Sequence, residues 1–219
     1  MRSLLVLTVT CFPVIAAAQI CEGRAPFARG PFQAAANLSF HEDIFSVGAG
    51  FGAGTGWAFG QLVVSHQFIA VVSKSSSTLG GRAGLQARVG PGQRRVYLCP
   101  VVTWSRTSGP KAYDIYQDGY LWDVSETDHS FGLALGVVVS SQEQLQVVPV
   151  ASLAQVHETV VIVDRQTDRP DSTKQTFSML GLGVGLVFNR AVSLRPSLFV
   201  PLDVPKASVS YGITVGVNF

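Results

Sequence analysis

The last twelve residues, Ser208 to Phe219 (SVSYGITVGVNF), constrain the fold more than any other stretch. Apolar or aromatic side chains occupy every second position, and small or polar side chains lie between them. Since side chains alternate across a β-strand, this run has one apolar face and one small, polar face. At about ten residues it is long enough to cross a bilayer as a tilted strand. The pattern predicts a membrane strand; the alternative is the final strand of a soluble sandwich.

The composition favours lipid-facing strands over a large soluble core. Hydrophobic residues make up 47% of the 219-residue chain and charged residues only 14%, against about 25% charged in soluble domains. After residue 18 no apolar run is long enough for a membrane helix. The 22 glycines and the repeated period-two alternation therefore indicate strands. A net charge of +2, without a Lys/Arg cluster, predicts no nucleic-acid partner.

The N-terminus has the pattern of a secretion signal. Met1-Arg2 is positively charged, Leu4 to Ile15 is apolar, and Ala16 to Ala18 supplies small residues for cleavage. We therefore predict a signal peptide over 1–18, a periplasmic lead over 19–30 and a β-barrel over 31–219. The exported chain keeps Cys21 and Cys99, which we expect to form a disulfide that ties the lead to the barrel. The alternative is two free thiols.

The C-terminal strand resembles the assembly signal of Gram-negative outer-membrane β-barrel proteins, which has alternating hydrophobics, an aromatic-glycine pair and a final Phe. The matching positions are Tyr211, Gly212, Val215, Val217 and Phe219. The resemblance implies a location in the bacterial outer membrane. It also implies contact with outer-membrane lipids, and with periplasmic chaperones and the barrel-assembly machinery during biogenesis.

The rest of the chain alternates between strand patterns and turns, which predicts an all-β, closed antiparallel up-and-down transmembrane barrel of ten strands. Closure follows because backbone groups in lipid must all be paired. Eight strands is the alternative, if Phe32–Gly54 packs differently. The predicted strands are Phe32–Phe40, Phe45–Gly54, Trp57–Ser73, Gly80–Gly90, Val96–Ser105, Asp128–Ser140, Leu145–Val163, Thr176–Phe188, Ala191–Leu202 and Ala207–Phe219. We expect outer loops at Lys74–Thr78, Arg106–Thr127 and Asp164–Lys174, an inner turn at Asn189-Arg190, and a bulge near Ser65–His66.

Small side chains on the inward face predict a filled or narrow lumen, because a barrel of about this size has little interior space. The predicted inward charges are Arg88, Arg195, His66 and Glu158. We expect Arg195 to meet an acidic group such as Glu158, with contact to lumen water as the alternative. Trp57, Trp104 and Tyr211 are expected in aromatic girdles at the membrane interfaces, or else in ordinary strand packing.

No motif for a cofactor or a metal stands out. The alternate glycines from Gly48 to Gly56 form one face of a strand, and the four histidines never occur at ligand spacing. Asp128-His129-Ser130, with Asp123 and Glu126 nearby, groups catalytic residue types at the outer rim. Neighbours on a strand point to opposite faces, which is poor geometry for a Ser–His dyad. We therefore predict no catalytic residues and no cofactor.

The predicted loop Arg106–Thr127 has the composition of a contact surface. Tyr113, Tyr116, Tyr120 and Trp122 lie among acidic residues there, and exposed aromatics of this kind suit contact with an extracellular ligand. The alternative is a loop that folds over the barrel mouth. The predicted role is structural or interactional. The other functions considered are an enzyme acting on lipid or peptide at the outer rim and a narrow pore for small solutes.

Overall fold

The computed structural model describes residues 20–23, 30–42, 44–69, 74–89, 95–109, 122–141, 144–204 and 208–219. The predicted signal peptide lies outside the described residues. Within these ranges, no helix is long and apolar enough to span a membrane.

The described residues form ten long antiparallel strands and one turn of 3₁₀ helix, Ile20–Glu22. Strand β4 is interrupted at Gln86 and strand β6 at Val139. The strands are β1 Phe32–His41, β2 Ile44–Gly54, β3 Ala58–Ile69, β4 Lys74–Leu85 with Ala87–Val89, β5 Arg95–Ser108, β6 Trp122–Val138 with Ser140–Ser141, β7 Leu145–Asp164, β8 Arg169–Phe188, β9 Val192–Pro201 and β10 Ser210–Asn218.

The sheet closes on itself. Each strand pairs with its neighbours in the chain, and β10 pairs with β1 from Gln33↔Asn218 to His41↔Ser210. The fold is therefore the predicted closed antiparallel barrel, with ten strands rather than eight. Strand β1 takes its place between β2 and β10, so the Phe32–Gly54 hairpin is part of the wall.

The alternating side chains of each strand point to the outside and the inside of the barrel in turn. On β10, Ile213 and Val215 are exposed, whereas Thr214 is only 8% exposed. Leu62 and Phe131, on other strands, are each 65% exposed. We call this ring of outward apolar side chains the apolar belt. On β6 the belt ends between Phe131 and His129.

Aromatic rings line both edges of the belt. At one edge Phe32, Phe51 and Phe219 cluster with ring centroids 5.8–6.5 Å apart. At the other edge, Phe45 lies 5.1 Å from Phe40 and 6.1 Å from Phe68. Phe32 and Phe40 are separated by about 27 Å along β1, which is roughly 20 Å along the axis of a barrel with tilted strands. Trp57, Trp104 and Tyr211, the predicted girdle residues, are all exposed.

Several predicted boundaries are wrong because polar segments extend the strands. Lys74–Thr78 belongs to β4, and Arg106–Ser108 and Trp122–Thr127 belong to β5 and β6. The predicted loop at Asp164–Lys174 shrinks to the turn between β7 and β8. Beyond the belt a strand can carry polar side chains on both faces, so charge does not mark its end. The bulge expected at Ser65–His66 is absent, since the register of β2 with β3 runs unbroken.

The tight turn predicted at Asn189-Arg190 is confirmed. Both residues have positive φ, 48° and 54°, and the Ala191 N–H donates to the Phe188 carbonyl at 2.9 Å. Positive φ at both central positions defines the type I′ turn, whose twist matches that of a hairpin.

We expect Arg190→Gly to stabilise the barrel by about 1 kcal/mol, because glycine adopts the left-handed conformation without the steric cost of a Cβ. Reversible urea unfolding in detergent measures the change. Arg169→Gly, in regular strand, is the matched control and is expected to lower stability. An unchanged or lower stability of Arg190→Gly would contradict the prediction.

Candidate functional site

The barrel has two different ends. At the turn end lie the Asn189-Arg190 turn and the aromatic cluster of Phe32, Phe51 and Phe219. At the other end, the projecting end, strands β6, β7 and β8 continue past the apolar belt. Trp122–His129, Gln155–Asp164 and Arg169–Ser178 form this extension, which we call the projecting sheet.

The turn end is filled by the chain's own N-terminal segment. Residues 20–23, which we call the plug, lie inside the barrel, with Ile20, Cys21 and Glu22 exposed by only 5%, 3% and 3%. They pack with Tyr97, Ala134, Val148 and Val187. Residues 20–23 of the predicted periplasmic lead are therefore inside the wall, not below it.

Two inward glycines make the space for the plug. A Cβ on Gly136 would lie 2.5 Å from the Ile20 carbonyl oxygen, and a Cβ on Gly185 would collide with the Gly23 backbone. Contacts this close require that the wall have no side chain at these two positions. Gly136 and Gly185, two of the small inward residues noted in the sequence, therefore leave the space into which the plug packs.

Covalent and polar contacts hold the plug. The predicted disulfide joins Cys21 to Cys99, with the Cα atoms 6.1 Å apart. The Arg82 guanidinium forms an ion pair with the Glu22 carboxylate. Arg195 Nη1 donates to the Glu22 backbone carbonyl at 2.9 Å, and the Ile20 N–H donates to Gln86 Oε1 at 3.0 Å.

The expected partner of Arg195 is therefore wrong. Glu158 lies near the projecting end of β7, whereas Arg195 lies near the turn end of β9, and the plug supplies the acceptor instead. His66 is also misassigned: it points outward and meets the Phe68 ring edge-on at 4.8 Å. The inward prediction holds for Arg88 on the short second part of β4, which pairs with the inward Tyr97, although its side chain is exposed there.

Above the plug is a cavity of about 290 Å³, which we call the lumen cavity. Its floor consists of Cys21 and Glu22 from the plug and of Arg82 and Arg195 from the wall. The inward apolar residues around it are Val101, Val150, Val156, Met179 and Phe199. The arrangement is an apolar chamber with a charged floor, which suits a small amphipathic molecule.

Three carboxylates lie directly above this cavity, beyond the belt. Oxygen atoms of Glu126, Asp128 and Glu158 lie within 4.8 Å of one another. Ser105 donates to Asp128 at 3.0 Å and Gln175 donates to Glu158 at 2.5 Å. Oxygen ligands of this kind suit a divalent cation such as Ca²⁺. Burial, followed by the charges of Asp128 and Glu158, raises the pKa of Glu126 to about 8.

We expect barrel stability to fall as pH rises from about 4.5 toward 8. The pKa of Glu126 rises from 4.5 to about 8 on folding, so the folded state holds a proton that the unfolded state has released, and linkage removes stability over that interval. Glu126→Gln should flatten this part of the profile. Urea midpoints at pH 5 and pH 8 measure the effect. Asp171→Asn, on the exposed part of β8, is the control, and an equal flattening by it would contradict the assignment.

The cluster of catalytic residue types does not assemble a dyad. Ser130 points inward, with its Oγ 2.6 Å from Thr103 Oγ1, and Asp128 points inward toward Ser105. His129 is exposed on the outer face, opposite His157 in the register. Asp123 is ion-paired with Arg165 at 3.0 Å on the projecting end.

The predicted surface-contact residues and the predicted assembly signal stay predictions. Tyr113, Tyr116 and Tyr120 lie outside the described residues, and Trp122 opens β6 half-buried. The five residues of the suggested assembly signal lie on or next to β10: Tyr211, Gly212, Val215, Val217 and Phe219. Sequence reasoning missed Glu22 and Arg82; the available signal was an acidic residue directly after a cysteine expected to anchor to the barrel.

No protein-family model matches the chain, and no curated protein is similar to it in sequence. Among solved structures it is similar to the N-terminal β-barrel domain of Pseudomonas aeruginosa OprF, at 13% identity and a TM-score of 0.36 over 86% of this chain and 96% of that chain. It is also similar to Ail of Yersinia pestis, at 9% identity and a TM-score of 0.39 over 85% of this chain and 93% of that chain. For LpxR from Salmonella typhimurium the identity is 11% and the TM-score 0.41, over 80% of this chain and 73% of that chain. The fold therefore rests on the strand pairing described above and not on these scores.

Proposed function

We propose that this chain is an outer-membrane β-barrel protein of a Gram-negative bacterium, with a plugged lumen and a structural or surface-interaction role without catalysis. The observation that carries this proposal is the apolar belt with aromatic rings at both edges, on a sheet without an open seam. Such a surface is stable where lipid covers it. Outer-membrane lipids are therefore its permanent partners, and assembly machinery and chaperones its partners during biogenesis.

The two ends of the barrel support one orientation. Short turns face the periplasm in barrels of this class, and longer extensions face outward. The plug would then close the periplasmic end, and the projecting sheet would stand outside the cell. Within the described residues, Arg169–Phe177 of β8 pairs with β7 only. Its other edge offers backbone N–H and C=O groups to an extracellular ligand.

The geometry also favours binding over catalysis. His129 and Ser130 face opposite sides of the wall, and the inward hydroxyls of Thr103 and Ser130 bond to each other. A Ser–His dyad needs both side chains on one side and within hydrogen-bond reach. The absence of catalysis remains part of the proposal.

Single-cysteine labelling tests the orientation. Because Cys21 and Cys99 are bonded, Lys174→Cys and Arg190→Cys each add one free thiol, at opposite ends of the barrel. A membrane-impermeant maleimide should label Lys174→Cys on intact cells. It should label Arg190→Cys only after the outer membrane is permeabilised. The reverse pattern would overturn the orientation, and equal labelling of both on intact cells would contradict the membrane location.

A shortened β7–β8 hairpin tests the surface role. Replacing residues 158–175 with Asn-Gly, as a two-residue turn between the paired His157 and Thr176, removes half of the projecting sheet, including the edge of β8 up to Gln175, and leaves the apolar belt intact. The variant should still fold, and should lose binding to whichever immobilised matrix proteins or glycans the full chain retains in a panel. Undiminished binding by the shortened protein would remove the projecting sheet from the proposed role.

A further inference from the structure

We propose that the lumen cavity is a binding site for an amphipathic monoanion of the alkyl carboxylate class. The carboxylate would lie at Arg82 and Arg195, and the alkyl chain would run along the apolar wall toward the projecting end. This site goes beyond the structural and surface role. It needs only the plugged barrel.

The cavity floor carries more positive than negative charge, which favours binding of an anion. Arg82 and Arg195 supply two guanidinium groups, and the plug supplies one carboxylate, Glu22. Arg82 pairs with that carboxylate, whereas Arg195 bonds to the backbone carbonyl of Glu22. The Nε atoms of both arginines are buried and have no hydrogen-bond partner among the described residues. Enclosed cations need partners, and the two oxygens of a carboxylate are placed to accept two parallel N–H donors of a guanidinium.

The walls of the cavity are apolar, which favours binding of an alkyl chain. Five apolar side chains surround the space above the arginines, and the volume of about 290 Å³ is close to the lower bound for small-molecule pockets, roughly 300 Å³. A small inorganic anion would occupy the floor and leave this apolar surface in contact with water. Each methylene placed against it should improve affinity about fourfold, the equivalent of the transfer free energy of a buried CH₂.

The acidic cluster orients the molecule. The inward residues Thr103, Ser130 and Val156 line the cavity, and the next inward positions on the same strands are Ser105, Asp128 and Glu158. Negative charge at that end repels a carboxylate, and the arginines attract it to the opposite end. An anion that enters from the projecting end must pass this cluster, which repels it. Association and dissociation should therefore both be slow, while the equilibrium affinity need not be weak.

Equilibrium dialysis tests the site. The full exported chain is reconstituted in phosphatidylcholine nanodiscs, dialysed for a day against radiolabelled decanoate, and corrected with empty nanodiscs. We expect saturable binding of one decanoate per barrel, and binding of decanol at least tenfold weaker. Arg82→Gln and Arg195→Gln should each weaken decanoate binding at least tenfold. Arg106→Gln, exposed on the outer face of β5, should bind like the wild type.

A second variant is needed because both arginines also bond to Glu22, so that replacing either could displace the plug and weaken binding indirectly. Val156→Phe narrows the cavity at the end away from the plug, where the alkyl chain would lie, and leaves the plug contacts intact. It should weaken decanoate binding at least tenfold while the heat-modifiable folded band on a gel is unchanged. Absence of saturable binding above empty nanodiscs, equal binding of decanol, or full affinity in Val156→Phe would each overturn the proposal. None of these results depends on the labelling pattern that tests the orientation.

Discussion

Val215→Lys is expected to destabilise the barrel by about 2–4 kcal/mol, the cost of a lysine on the lipid face near the middle of the membrane. Val215 points outward on β10, midway between Tyr211 and Phe219. The charge has no partner there, and lysine cannot reach either interface without distorting its strand. Urea unfolding in lipid vesicles measures the loss of stability, and the amount of folded protein in the outer membrane reports the same effect in cells.

The matched control carries the same charge on the inner face. Ser130→Lys adds a lysine to the lumen two residues from Asp128, beside the acidic cluster, where it finds partners. It should cost less than about 1 kcal/mol. Adjacent positions on β10 give the same contrast, since Ile213 faces out and Thr214 faces in, opposite Arg195 in the register. A charge at Ile213 should therefore impair assembly far more than Thr214→Asp, and equal costs would contradict the assignment of the two faces.

Replacing both cysteines, Cys21→Ser with Cys99→Ser, is expected to lower stability by about 2–4 kcal/mol and to produce openings of the lumen. The disulfide closes a loop with a sequence separation of 78 residues, for which the chain-entropy model gives about 4.5 kcal/mol, an upper value for a real disulfide. Without it the plug is held only by noncovalent contacts. In planar bilayers the oxidised wild type should stay closed, whereas the double variant should show brief conducting events.

Reductant supplies the matched comparison. Treatment of the wild type with a phosphine reductant should reproduce the conducting events, and the same treatment should leave the double variant unchanged. A stable large conductance of the oxidised wild type would contradict a plugged lumen. A silent double variant with full stability would show that the plug is seated without its covalent bond.

The sequence predicts the wall of this barrel well and its contents poorly. Alternation is a local property, so each strand reveals its own outward face: Val215 and Val217 could be assigned to the outside without knowledge of their neighbours. Strand ends could not be read in the same way. Lys74 and Arg106 lie beyond the belt, where polar side chains no longer distinguish a strand from a loop.

The contents of the lumen depend on contacts between distant parts of the chain. Arg195 meets Glu22 across a sequence separation of 173 residues, and no local pattern marks that pair. The cysteine count predicted the disulfide because export and an even number of thiols constrain the pairing. It did not predict that Cys21 would bring Ile20 and Glu22 inside, a consequence of the space left by Gly136 and Gly185.

The plug also braces the barrel across its diameter. Arg82 lies on β4 and Arg195 on β9, five strands apart in the ring of ten, and both bond to Glu22 of the plug. A hollow cylinder of hydrogen-bonded strands flattens readily under lateral pressure, and a residue bonded to two opposite walls limits how far those walls can move apart. The plug therefore acts as a mechanical tie as well as a stopper.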